Sequence, residues 1–244
     1  MTRTLIGLLM AAAVASPQQT PLPQPAPAPG RPSDKPAPVE KLNATTYRIG
    51  QMRVDTGKRE VTIPGSLNPV TTLEFVANTK FGYKAYESAI TLETNAVSFN
   101  AAMLLIGLDP ARARPSVMQF DLTPPQGDPV EINVEFQVNG TTRRVKVEEL
   151  LYDQRTKKTV REGPWVYTGS TFVDTGDGSG KKFLAELDGV LIGFMHGPQA
   201  VIDNPRNDAV GGFGAVVLNP NLGVPESAPL VLTIRALPLD RKQR

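Results

Sequence analysis

No cysteine occurs among the 244 residues. That excludes disulfides, thiolate nucleophiles, cysteine-held zinc, iron–sulfur clusters and a lipid-bearing N-terminal cysteine. Histidine is nearly absent too: His196 stands alone, and transition-metal sites draw on several imidazoles or thiolates. Aromatic residues make up 6% of the chain, few for the stacking platforms of single-strand binders. Charge of one sign is also missing, with Lys+Arg 26 against Asp+Glu 24. The cations are scattered among acids, unlike the basic stripe of a nucleic-acid surface. No metal, cofactor or nucleic-acid partner is expected.

What is present begins with an address. Arg3, the apolar run Leu5 to Val14 and the small residues Ala13 to Ala15 have the three-part layout of a secretory signal, assigned to 1–15. The run is too short to span a bilayer core of roughly 30 Å as a helix. No other stretch is long and apolar enough, so no membrane span is expected in the mature chain. Residues 16–38 carry nine of the 23 prolines and almost no large apolar side chains, which describes a disordered, semi-rigid Pro-rich tether. Residues 39–240 are assigned to one β-rich domain, and the protein is placed in the periplasm or outside the cell.

From residue 40 the pattern is strand-like. "YRIGQMRV" and "REVTIPG" flank the turn signal "DTGK", and "PVEINVEFQVNGTTRRVKVEEL" turns at Asn139-Gly140, a strong hairpin signal. "YKAYESAITL" reads as a strand with Tyr86, Ser88, Ile90 and Leu92 on one face. "SFNAAMLLIGL", residues 98–108, breaks the period and predicts one helix with Ser98 as N-cap. It is apolar all round and so expected to be buried. "EELLYD" suggests a single helical turn. "KKFLAEL", "VLIGFM", "AVVLN" and "PLVLTIRAL" read as further strands. The fold class is mainly β (α+β): antiparallel strands with one buried helix.

The glycine-rich stretch "FVDTGDGSGKKF", residues 172–183, fails as a phosphate loop, because Lys181 is followed by Lys182 and Asp174 and Asp177 would repel phosphate. It fails as an EF-hand, because Gly176, Gly178 and Ala185 stand where oxygen ligands belong. A looser cation site from Asp174, Asp177 and Ser179 is the alternative to a plain hairpin tip. Positive φ at several glycines and Asx bonding favour the tip.

A serine triad would have to use His196 with Ser170 and Asp203, but "YTGSTF" is not a nucleophile elbow. If "VLIGFMH" continues as a strand, His196 falls on an apolar face as a packed, hydrogen-bonded side chain. In "KAYES", a strand would hold Lys84 and Ser88 about 13 Å apart, too far for a Ser–Lys pair, with Glu87 on the other face. On a helix all three would converge. "VIDNPRND" gathers Asp203, Asn204, Asn207 and Asp208 around Pro205, oxygens that could hold a hard cation or hydrogen-bond a sugar, and that Asx turns and an Asn-Pro turn also explain. Glu74 and Glu87 are candidates for paired glycosidase carboxylates.

The motifs "LEFV", "KAYESAI", "NAAMLLIGLDP", "WVYTGSTF", "FLAELDGVLIGF", "PQAVIDNP" and "APLVLTI", in this order, resemble the YdjY-domain family of exported bacterial proteins over roughly residues 50–236. Lys84, Glu87, Ser88, Gly169, Ser170, Asp188 and Asp203 fall on those motifs, and the resemblance attaches no role to them. The reading that results is an exported, non-catalytic binding or interaction module for a cell-envelope protein or ligand. Its ligand contacts are assigned to Lys84, Glu87, Ser88, Ser170, Asp203 and Asp208, with no catalytic or metal-binding residue. The alternative is a hydrolase or glycan-acting enzyme using Ser170 and His196 or the paired carboxylates.

Overall fold

The computed structural model describes residues 35–210 and 214–239. The signal assigned to 1–15 and most of the tether assigned to 16–38 lie outside the described residues.

Among the described residues seventeen strands and two α-helices follow in order: β1 (Val39–Lys41), β2 (Thr46–Ile49), β3 (Met52–Asp55), β4 (Glu60–Leu67), β5 (Phe75–Thr79), β6 (Ser88–Leu92), α1 (Ala96–Leu105), β7 (Asp128–Val138), β8 (Thr141–Lys146), β9 (Leu151–Asp153), β10 (Lys158–Thr159), β11 (Trp165–Tyr167), β12 (Phe172–Asp174), β13 (Lys181–Phe183), α2 (Leu184–Asp188), β14 (Val190–Gly193), β15 (Ile202–Asp203), β16 (Val216–Leu218) and β17 (Pro229–Ala236). The protein is mainly β. The principal sheet runs β4-β17-β7-β11-β15-β14-β5-β6, and β6 pairs back onto β4, closing those eight strands into a ring. A ring of this size is filled by its own side chains. β3, β2 and β1 extend from β4, β8 flanks β7, and β12–β13 and β10–β9–β16 form two small separate sheets.

The period-two pattern sets one half of this barrel. In β17, Leu230, Leu232, Ile234 and Ala236 are buried between more exposed neighbours. Val130, Ile132, Val134 and Phe136 of β7 do the same. The other half is buried on both faces: every residue of β5, β14 and β11 is inside, and α1 and α2 pack against β14. Runs buried on both faces lose the alternation that marks a half-exposed strand.

The expected turns form. β3–β4 join through 56–59, and β7–β8 through Asn139 and Gly140, both at positive φ (50° and 77°), the type I′ geometry this dipeptide favours. The start of "EELLYD" falls in one 3₁₀ turn, Val147–Leu150. Stretch 172–183 is the β12–β13 hairpin, with Phe172 opposite Phe183.

Several details differ from the sequence reading. Two pairings, β5–β6 and β14–β15, are parallel. The predicted helix starts earlier, at Ala96, and its N-cap is Asn95, whose side chain accepts from the Ser98 N–H at 2.7 Å. Its first turn is completed from α2: the Glu186 carboxylate accepts from the Ala96 and Val97 N–H groups at 2.7 and 3.2 Å, a favourable site for a negative group. The helix is not buried all round, since Leu104 and Leu105 are exposed. "FLAEL", read as strand, becomes α2 because Gly189, at φ 75°, ends it with a left-handed C-cap. The largest change falls on "YKAYE": residues 83–87 form a 3₁₀ turn between β5 and β6. Two parallel neighbours cannot be joined by a tight hairpin, so the connection has to wind rather than run on as strand.

Candidate functional site

That turn builds the site. Gly82 precedes it, and Phe81 enters at φ 66°. Winding the chain puts residues three apart on one side, so Lys84 and Glu87, opposed in a strand, meet: Lys84 Nζ lies 2.6 Å from Glu87 Oε1. The ammonium also sits 5.9 Å from the ring centroids of Phe75 and Tyr83 and 5.6 Å from that of Tyr86, within cation–π range. Tyr83 and Tyr86 meet edge to face with centroids 5.9 Å apart. Both are more than half exposed, as is Phe81.

Beneath them lies a buried carboxyl. Glu74 is 4% exposed, its N–H donates to Glu87 O at 2.9 Å, and Gln119 Nε2 donates to its Oε2 at 2.8 Å. Burial pushes the Glu74 carboxyl up and the negative charge of Glu87 adds to this, against the pull of Lys84 and Gln119. Asp188 at the end of α2 is raised by burial as well, with Lys84 opposing. For Lys84 itself burial acts downward, but the Glu87 partner and the neighbouring Tyr86 outweigh it and hold the ammonium above its ordinary range. One cation thus faces three carboxyl groups. A lysine held charged in this way is a poor nucleophile.

Of the residues singled out in the sequence, Lys84 and Glu87 converge, and Glu74 joins them. Ser88 is next to them but fully buried, and its hydroxyl donates to Lys84 O at 2.7 Å. It closes the turn and does not meet the ammonium. Ser170, at φ 57°, lies elsewhere: its Oγ donates to Pro198 O at 3.3 Å and accepts from the Ala185 N–H at 3.2 Å, which caps α2. His196 comes after β14 has ended, at φ 60°. Its Nδ1 bonds Asp121 O at 2.6 Å, so Nδ1 carries the proton, and its buried Nε2 has no hydrogen-bond partner among the described residues. Ser170 and His196 therefore make no hydrogen bond to each other.

Asp203 is fully buried in β15 and accepts from the Gly197 N–H at 3.1 Å and the Asn204 N–H at 2.8 Å. Burial pushes its carboxyl up to about 7, against those backbone donors. Asp208 is on the surface and accepts from the Arg161 N–H at 2.8 Å, so the two aspartates of "VIDNPRND" are not brought together by a shared hydrogen bond. At the hairpin tip, Asp177 is engaged by Ser179 and by Lys182 Nζ at 2.6 Å. Lys182 first, then Ser179, hold its carboxyl far below the usual range. Among the described residues no group of three His, Cys, Asp or Glu is placed to hold a metal ion, and no helix is long and apolar enough to cross a membrane.

Sequence reasoning missed Gln119, Tyr83, Tyr86 and Phe81 as parts of this site. A signal existed: "FGYKAYE" packs three aromatic residues into six positions of an aromatic-poor chain. Gln119 carried none.

The YdjY domain matches residues 52–220, so the chain belongs to the YdjY domain family. The match takes in the whole of the Lys84 site, from Glu74 through Gln119 to Asp188. No curated protein and no solved structure matches the chain.

Proposed function

We propose that this YdjY-domain protein is a non-catalytic binding module that works after export, as a single domain carried on its Pro-rich tether, and that it engages its ligand on the Lys84 face. The observation that carries the reading is the exposure of Tyr83 and Tyr86, at 54% and 57%, around an ammonium–carboxylate cluster. Large aromatic side chains left in water beside oriented polar groups are the common equipment of a binding surface. The hydroxyl and amine groups that would supply a nucleophile are instead occupied: Ser88 and Ser170 bond backbone atoms and Lys84 is paired with Glu87. A ligand with a flat C–H face and a polar rim, as a sugar ring has, matches two tyrosines bordered by carboxyls.

The test is co-sedimentation of the full chain with insoluble polysaccharides and with cell-wall sacculi, against the Tyr83→Ala/Tyr86→Ala double variant. Wild type pelleting with at least one, and the variant staying in solution with an unchanged melting temperature, supports the reading. Wild type pelleting with none, or the variant pelleting equally, refutes it.

One observation favours a second reading, glycan cleavage. Burial and the neighbouring Glu87 push the Glu74 carboxyl up, and a raised acid beside a second carboxyl group is the pairing that glycoside hydrolysis uses. Release of reducing ends by wild type and its loss in Glu74→Gln would establish it.

A further inference from the structure

One large concavity of the described residues plays no part in the Lys84 site. It is an open groove of about 900 Å³ at the start of β7, beside β11 and the chain end after β17, walled by Pro125, Pro129, Pro164, Pro205 and Pro238. Across Gln126 and Gly127 it runs into a second depression that includes Arg112 and Arg114. Proline rings are rigid and apolar and bring no N–H group. Such a wall cannot add a strand through a backbone ladder, and it accepts side chains and rings of an extended chain instead.

Its charges do not balance. Arg206 lines the groove and is 9% exposed. Its Nη1 donates to Pro164 O at 2.7 Å and the guanidinium lies 5.5 Å from the Trp165 ring, while Nε and Nη2 have no hydrogen-bond partner among the described residues. The nearest carboxylate, Glu148, is 3.5 Å from Nη2 and already accepts from Trp165 Nε1 at 3.0 Å and the Gly163 N–H at 3.2 Å. Its compensation of Arg206 is therefore partial. Arg161 lines the same groove and has no carboxylate partner among the described residues. Among the described residues the Arg114 guanidinium meets only the carbonyls of Ala111 and Ala113. Of the acids nearby, Glu162 pairs with Lys146 Nζ at 2.7 Å and Asp128 with Arg112, while Asp208 holds the Arg161 N–H at 2.8 Å and adds a negative charge beside Arg206.

We infer that this groove binds an acidic, extended peptide segment of a partner protein, with carboxylates facing Arg161 and Arg114 and apolar or proline side chains lying on the proline walls. Arginine suits carboxylate recognition through its planar fork of donors. The cations stand in two joined depressions rather than around one point, which fits spaced carboxylates along a chain and not a single small anion.

The test is fluorescence anisotropy of a labelled peptide of alternating Glu and Pro, with the Gln–Pro peptide as control, added to the full chain. The Glu–Pro peptide is expected to bind in a salt-sensitive manner and the Gln–Pro peptide to fail. Arg114→Glu/Arg161→Glu should weaken binding by about ten-fold or more. Arg161→Glu alone, which changes only an exposed side chain, should weaken it in the same direction with an unaltered melting curve. Glu162→Gln should bind at least as tightly as wild type. Absence of binding, equal binding by Arg161→Glu, or tighter binding of a sulfated oligosaccharide than of the peptide would overturn the inference.

Discussion

Lys84 Nζ lies 2.6 Å from Glu87 Oε1, three residues along a turn that a strand in the same place would have split between two faces. Side-chain exposure is 21% for the lysine and 12% for the glutamate, so neither charge is well served by water once its partner is gone. Lys84→Met leaves Glu87 and Glu74 facing each other without a cation. It is expected to cost about 2 kcal/mol, below the roughly 3–5 kcal/mol seen when fully buried pairs are broken. Glu87→Gln added to Lys84→Met should recover part of that loss. Urea unfolding of the two single variants and the double variant measures the coupling, and additive losses would show that the pair does not act as one.

Asp203 gives the protein a pH dependence of defined sign. Its folded carboxyl sits near 7 against an ordinary 3.8, so between those values the folded state binds a proton that the unfolded chain has released. Stability is full at the acid end of this window and falls as pH rises through about 7. Every 1 kcal/mol lost lowers Tm by about 2–4 °C for a chain of this size. Calorimetry at pH 5 and pH 8 should find the lower Tm at pH 8. Carboxyl-carbon NMR should place the Asp203 midpoint near 7, and a midpoint near 4 would assign the effect elsewhere.

Gly189 has two reasons to be glycine. It ends α2 at φ 75°, and a Cβ there would come within 2.4 Å of Gly82 Cα. Backbone lies on both sides of that contact, because the Thr79 N–H donates to Gly189 O at 2.7 Å. Gly189→Ala therefore strains the φ angle and pushes on the turn that carries Lys84. The expected loss exceeds about 1 kcal/mol, read as a lowered denaturation midpoint. A neutral result would mean that the two glycines do not approach as closely as described.

At the β12–β13 tip the outcome should be the reverse. A Cβ at Gly176, Gly178 or Gly180 would meet nothing within 4 Å, and the Asp177 carboxylate is held by Ser179 and Lys182. Replacing residues 175–180 with Asn-Gly should shift Tm by no more than about 2 °C, corresponding to under 1 kcal/mol. Calcium or a chelator should leave the wild-type melting curve in place. A calcium-dependent rise would establish the loose cation site at Asp174 and Asp177.

Letters alone were enough for the β class and for the turns at 56–59, Asn139-Gly140 and 172–183. Those features rest on local chemistry: apolar residues at period two, and residues that accept positive φ. The same local rules misread "KAYE" as strand, because Tyr, Ala and Ile suit a strand and nothing in those letters reports that β5 and β6 run parallel. Tertiary structure alone decided that β6 returns to β4 and closes the barrel. It also brought Gln119 to Glu74 across 45 residues, set Asp203 where water cannot reach it, and left Arg206 with donors unmet beside a proline-walled groove. Each of these depends on which distant segments exclude water from a polar group, and that quantity exists only once the chain is folded.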